Sequence, residues 1–428
     1  MKESFLHYLW QNKKFTLSEL QTTEGLPITI LHSGNYLQQA GPDFFNAQLI
    51  IGTQKWAGTV EIHLKSSDWY LHHHETDPAY ENVILHVVWE HDTEVFRQNN
   101  TEIPVLELKN YVDTEILFHY QKLLTPKNWI NCENDLSTID SFTFSNWKER
   151  LYFERLEERS KEIESFLRQS TFDWEAVFSL FLAKGFGLNV NGTLFFELMQ
   201  SLPYPIIRKE RYDAVQLEAL LLGRAGLLAE EHEDVYFKEL KKRWNYLAKK
   251  YPLPQTILPS VHFFKLRPDN FPTIRLVQLA QLLHVRPHLF HQCMHVETRD
   301  DFYQLFSVKP SVYWDTHYVF DKESTLKSKK LSKSFIDLLV INTVLPFMFV
   351  YQRFQNSVDS EQLIALVSEL PAEKNVIIEK FSNLGIHSKN SYDSQALLQL
   401  KKHYCDLNHC LSCAIGQKLL NFTSTKSH

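Results

Sequence analysis

The stretch GPDFFNAQLIIGTQKWAGTVEIHLKSSDWYLHHHETDPAYENVILHVVWEHD, Gly41–Asp92, decides the reading of the N-terminal part of the chain. It holds two alternating apolar runs joined by a polar segment. In Thr59–Lys65 a period of two sets Glu61, His63 and Lys65 on one face and Val60, Ile62 and Leu64 on the other. In Val83–Glu90 the same period sets His86 opposite Val83, Leu85 and Val87. Ser66–Asn82 is the polar turn-and-loop connection, with Asp77-Pro78 marking a turn or a helix start. Asp43, Asp68, Asp77, His72, His73, His74 and His91 fall in the same stretch, so a folded unit of this size gathers many of them. Carboxylates and imidazoles aligned on strand faces suit a divalent metal. The plainer alternative is a polar sheet face open to water, with the three consecutive histidines in a solvated loop.

Length and composition set the frame. A chain of 428 residues, 44% apolar and 22% charged, is an ordinary globular sequence long enough for two or three domains. Its longest apolar run, Leu338–Tyr351, is interrupted by Asn342 and Pro346, so it reads as a buried helix and no membrane span is expected. MKESFLHYLW carries an acid and a His where an export signal is apolar, and five cysteines are too few for a disulfide scaffold. Both point to a reducing cytoplasm. The net charge of −6 argues against general affinity for polyanions. Through Asp135 there are 9 Lys+Arg against 18 Asp+Glu, leaving 36 against 33 beyond it. The N-terminal part is the acidic one, and an acidic cleft favours cations.

Taken in order, Glu3–Asn12 reads as a helix, then Leu26–His32, Phe44–Ile51, Thr59–Lys65, Val83–Glu90 and Glu102–Leu108 as strands, then Val112–Leu124 as a helix. That order predicts an α+β unit over 1–135. The aperiodic ENDLSTIDS marks a boundary, and 136–428 reads as one large all-helical domain ending in a cysteine cluster. Lys322–Lys333 reads as a basic, solvated loop.

Three constellations carry chemistry. The first is Asp43 with Glu61, an acid at the start of one strand and another on the next. Such a pair chelates Mg²⁺ or Mn²⁺, which activates water for attack on phosphorus. His63 and Lys65 follow on the Glu61 face as groups to position or deprotonate that water, and His74 and His86 are further candidate ligands. The second is HYCDLNHCLSC, in which Cys405, Cys410 and Cys413 are spaced to reach one Zn²⁺ or one iron–sulfur cluster. A fourth ligand is His403, His409 or the distant Cys132; the plainer reading is three reduced thiols packed at a helix end. The third is RPDNFPTIR, where Arg267, Asn270 and Arg275 precede a helix and suit an anion or a locked interface.

GPDF followed by GTVEIH, in a helix, three-strand, helix, strand order, resembles the PD-(D/E)xK core of restriction-endonuclease-like nucleases over about the first 110 residues. The resemblance makes Pro42-Asp43 the PD and Glu61 with His63 the (D/E)xK, with Glu3 as the acid often found on the first helix. It departs at His63, which stands where that family places Lys, and this puts the general-base step in question. Over nearly its full length the chain also resembles a bacterial domain-of-unknown-function family, through GPDFxxA, WxGxVEIHxxxSDWxxHxH and YxxVxLHVV, then RPDNFPTIRLVQLA, Trp314, His317-Tyr318 and the C-terminal cysteines. That family brings no activity with it. The cysteine layout is similar to that of some helicase-associated and CRISPR-associated nucleases. The sequence thus predicts a metal-dependent nuclease on DNA or RNA, with an inert nucleic-acid- or protein-binding scaffold and a small phosphate-ester hydrolase as alternatives.

Overall fold

The structure, a computed structural model, describes residues 1–36, 41–124, 128–254 and 260–421. The chain divides into two compact units, Met1–Trp147 with Leu400–His428, and Lys148–Gln399. The boundary expected at 135/136 lies at 147/148, and the cysteine segment, expected in the helical domain, belongs to the first unit. Helical periodicity shows which face of a helix is apolar but not which body it covers, and Ala414–Leu420 covers the N-terminal unit's own helix Thr114–Leu124.

The first unit is α+β. Helix α1 (Glu3–Gln11) buries Phe5, Leu6, Tyr8, Leu9 and Trp10. The sheet contains β1 (Ile28–His32), β2 (Asn35–Tyr36), β3 (Phe44–Ile51), β4 (Gln54–Lys65), β5 (Val83–Glu90) and β6 (Val105–Glu107). Its order is β1-β3-β4-β5-β6, with β2 paired to β3. β1, β3 and β4 form an antiparallel meander, whereas β4–β5 and β5–β6 are parallel, so the sheet is mixed, as the three central runs predict.

The parallel pairing has a direct consequence. A strand with neighbours on both edges and cover on both faces is buried throughout its centre. Along β4, Val60 and Ile62 are fully buried on one face, and Glu61 and His63 are 5% and 1% exposed on the other. The polar face is not open to water. A bulge between Phe44 and Ala47, with Asn46 at φ 59°, ends the regular β3–β4 ladder just after Asp43. The Asp43 carboxylate then accepts from the amide of Ile62 at 3.1 Å, replacing the lost strand partner. The polar connection holds α2 (Asp68–Leu71) and two short 3₁₀ turns; Trp69 and Tyr80 pack with Val83, Val88, Val95, Ile103 and Val105.

The second unit is helical except for a two-stranded antiparallel pair, His317–Val319 with Lys322–Glu323, so it is not all-helical as the sequence suggested. Its core gathers Phe178, Phe186, Phe195, Leu217, Leu220, Ile274, Leu279, Trp314 and Phe347. Helix Lys333–Phe354 is the one described helix long and apolar enough to cross a membrane, and 78% of its apolar window is buried inside the protein, as expected of a core helix. The basic segment expected to be solvated has a buried member: Lys329 is 3% exposed, with its ammonium 3.9 Å from the Tyr318 ring centre. Burial holds its pKa below the usual lysine value.

Gly58, at the centre of β4, tests the packing that positions Glu61. A Cβ there meets Ile84 Cγ2 at 2.5 Å and the carbonyl of Asn82 at 2.6 Å. Overpacking of this kind costs about 1–3 kcal/mol, so Gly58→Ala should lower the unfolding free energy by that amount and the urea midpoint of the full chain by that amount divided by the m-value. An unchanged midpoint would show that β4 and β5 are not packed this closely.

Candidate metal centre

Glu61 is the meeting point of two groups of ligand atoms. Its Oε1 lies 3.5 Å from His63 Nε2 and 3.4 Å from His74 Nε2. Its Oε2 accepts the backbone amide of Asp43 at 3.1 Å. On one side of it, one ligand atom from each of His63, His72 and His74 lies within 4.8 Å of the others. On the other side the same is true of Glu3, His7 and Asp43. Asp43, Glu61, His63 and His74, each a candidate from sequence, lie in one neighbourhood. His72 and His7 join these groups of candidate ligand atoms without having been singled out from sequence, although the HHH run and the i,i+4 spacing of Glu3 and His7 on α1 carry the signal.

The local backbone explains how consecutive histidines diverge. After α2, His73 adopts a left-handed conformation (φ 59°), which reverses the chain and leaves its own ring exposed. His72 and His74 both reach His63 as a result, with ring centres 4.9 and 5.3 Å from it. His74 is stacked on Tyr80 at 3.7 Å, which fixes its plane. His72 is exposed, so the group opens to solvent on that side.

His63 is held from both ends. Its Nδ1 lies 2.9 Å from His86 Nε2 and its Nε2 lies 3.0 Å from His72 Nδ1. His86, expected as a ligand, stands behind His63 rather than beside His72 and His74. It is fully buried, and its Nδ1 has no hydrogen-bond partner among the described residues. A metal-binding imidazole commonly donates its other N–H to a neighbour that fixes the ring, and His86 Nε2 is placed to accept it. Four ligands around an ion at zinc distances stand about 3.4 Å apart. The 3.0, 3.4 and 3.5 Å separations among His72, His63, Glu61 and His74 fit that spacing.

The electrostatics differ between the two sides. Burial lowers His63 to about 3 and also lowers His86, so both rings are neutral at pH 7 and keep a lone pair. Burial would also lower His7, but the hydrogen bonds that its ring donates to Asp43 and Glu3 outweigh it and lift His7 to about 9. His7 is thus an internal cation: its Nε2 lies 3.1 Å from Asp43 and 3.5 Å from Glu3, while its Nδ1 faces the Tyr36 hydroxyl at 3.2 Å. Burial pushes Glu61 up to about 7, against the hydrogen bond from His74.

The remaining candidates fall elsewhere. Lys65 ends β4 half exposed, and its ammonium faces Asp92 at 3.9 Å, not the imidazoles. Arg275 is buried, with Nη2 on Asn270 Oδ1 at 2.5 Å and Nη1 on Gln278 at 2.8 Å; its guanidinium lies 3.5 Å from the Phe335 ring centre. That fork is already engaged by protein groups, and Arg267 is exposed. Cys132, Cys405, Cys410 and Cys413 line one cavity of the first unit, in which neither His403 nor His409 takes part.

These shifts set the pH dependence of the metal-free protein. Glu61, raised on folding, stabilises the fold below its unfolded pKa, and that contribution is lost as pH rises through about 7. His7, also raised, contributes below about 6.5 and loses its contribution as pH rises through about 9. His63, lowered to about 3, acts in the opposite direction only below its unfolded value. With chelator present, the urea midpoint should therefore fall between about pH 6.5 and 9.5. At pH 8 Glu61→Gln should unfold later than the wild type, and His7→Gln should flatten the upper part of the fall. A midpoint that rises across this window would overturn the assignment.

No curated protein and no solved structure matches the chain. A family model does match, over residues 3–376, and its span ends before Cys405. With most of its length matched, the chain belongs to the family described as "Protein of unknown function (DUF2851)".

Proposed function

We propose that the N-terminal unit is a metal-dependent phosphodiesterase acting on nucleic acid. The observation that carries this reading is the position of Glu61 between two groups of candidate ligands, with its Oε2 accepting the Asp43 backbone amide. His63, His72, His74 and Glu61 would hold one divalent ion. Their imidazole-rich set favours a first-row transition metal over Mg²⁺. Asp43 with Glu3, and with His7 once it has given up its proton, would hold a second and harder ion, Mg²⁺ or Mn²⁺. An ion bound there lowers the pKa of its water and offsets the charge that develops on a phosphodiester.

Support for the nuclease class comes from the GPDF and GTVEIH motifs and from the antiparallel meander followed by a parallel strand. His63 occupies the place of the lysine in the related pattern, but both its nitrogens face other imidazoles, so in this reading it is a ligand and not the base. His86 is a positioning residue that fixes the His63 ring. Lys65 takes no part. A second reading, hydrolysis of a small phosphate ester, draws on the 18 acidic against 9 basic residues through Asp135, a balance that repels a long polyanion.

The test is a set of melts with Mn²⁺, Zn²⁺ or Mg²⁺, followed by assays on labelled single- and double-stranded DNA and RNA, bis(p-nitrophenyl) phosphate and p-nitrophenyl phosphate. An ion at about 100 times its Kd stabilises by about 2.7 kcal/mol, a shift of a few degrees. His72→Ala with His74→Ala should abolish the shift given by Zn²⁺ or Mn²⁺ and leave the metal-free fold intact. His86→Ala should weaken metal affinity roughly 10–100-fold without removing a ligand. Lys65→Ala should keep full activity. Cleavage confined to the monoester would select the small-ester reading, an ion-dependent shift without any cleavage would select a scaffold, and no shift with any ion would remove the centre.

A further inference from the structure

The four cysteines of the first unit are brought together from distant parts of the chain. Cys132 lies between the sheet and the point where the chain leaves this unit, and Cys405, Cys410 and Cys413 follow its return at Leu400. All four are free thiols and line one cavity, whose other walls include Ile130, Leu136, Leu400 and Ile415. Among the described residues, no carboxylate or imidazole lines it. We propose that Cys132, Cys405, Cys410 and Cys413 bind one thiophilic metal centre, a Zn²⁺ ion or an iron–sulfur cluster, that ties the two chain segments of this unit together.

Three features argue for a centre over packed thiols. First, the backbone carrying three of the cysteines departs from regular helix: Lys401–Cys405 is a π-helical turn, Asn408 is left-handed at φ 55°, and Cys410–Ser412 is a 3₁₀ turn. Wide turns of this kind inside helices are frequent at functional sites. Second, Gly416 lets the chain fold back on itself, because a Cβ there would stand 2.1 Å from the carbonyl of Cys410. Third, a donor points at one of the sulfurs: Asn131 Nδ2 lies 3.5 Å from Cys410 Sγ. N–H groups directed at sulfur are what a bound thiolate centre recruits, since they offset charge left on the ligands. In the protein without metal, burial instead pushes Cys132 up to about 12 and Cys413 up to about 11. On taking up Zn²⁺, or a preassembled iron–sulfur cluster, each thiol gives its proton to solvent as its sulfur takes the metal, so four protons leave and no electron is transferred.

The inference is independent of the Glu61 site, and the experiment keeps the two apart. The full chain is purified anaerobically from medium containing zinc and iron, then measured for metal content, visible absorbance and thiol alkylation by mass spectrometry. A centre gives about one equivalent of zinc, or several of iron with broad visible absorbance, and protects these four cysteines from alkylation until denaturation. Cys132→Ser should release that metal and speed proteolysis within residues 400–421, whereas His72→Ala with His74→Ala should not release it. If Cys132→Ser fails to fold, alkylation of the wild type before and after a strong chelator reads the same protection. Metal loss from the histidine variant alone, equal alkylation of the four thiols with and without chelator, or a disulfide joining Cys132 to the C-terminal segment would each overturn the proposal.

Discussion

The constraint on which the first unit depends is a carboxylate buried in the middle of a sheet. Glu61 sits on β4 with 5% of its surface exposed, and a charge removed from water is costly unless it is met by donors or by a cation. Each neighbouring feature answers that demand. The bulge after Asp43 turns an amide onto Oε2, the left-handed His73 brings His74 onto Oε1, and α1 supplies His7 as a counter-charge to the acids beyond. What remains after these partners is a raised Glu61 pKa, so the metal-free arrangement is incompletely compensated. A cation between Glu61 and the imidazoles, as proposed above, would complete it.

The sheet was legible because burial on a strand leaves a period of two. Phe44–Ile51 and Val83–Glu90 are strands over those same residues, and Thr59–Lys65 is the buried half of the longer Gln54–Lys65. The polar face of β4 was legible in its residue types but not in its exposure. Nothing in the alternation of Glu61, His63 and Lys65 tells that the parallel neighbour β5 and the helices above seal two of the three while the third reaches solvent. His86 was misplaced for a related reason. Period two puts it on a face, but its register opposite Glu61 and its contact with His63 set it behind the ligand group, and both depend on strand pairing. His72 differs from its neighbour only by one left-handed residue, a feature that a run of three identical side chains cannot announce.

The domain boundary was misread for a topological reason. The helical unit Lys148–Gln399 is inserted into the first unit, whose chain resumes at Leu400. From sequence an inserted helical body and an appended one look the same, because both follow the sheet and both show helical periodicity. The cysteines carried the missing information: Cys132 and Cys405 are distant in sequence, and only a fold that closes back on itself gives them a common cavity. Matching of the family model over residues 3–376, ending before Cys405, leaves that closure outside the span by which the family is recognised.

Closure of this kind has an energetic logic. The return of a chain across a long insertion carries a loop-closure cost that grows only slowly with length, so a modest set of contacts suffices to hold it. Here the contacts are the helix Ala414–Leu420 against Thr114–Leu124, the bond from Asn421 to the Tyr8 hydroxyl at 3.4 Å, and the shared cysteine cavity. Tyr8 lies on α1 next to His7, the residue that balances Asp43 and Glu3. The C-terminal segment therefore braces the helix that completes the acidic side of the Glu61 cluster. Loosening it would act on that side first, through the placement of Glu3 and His7, and would leave the imidazole group anchored by β4, β5 and the Trp69–Tyr80 packing.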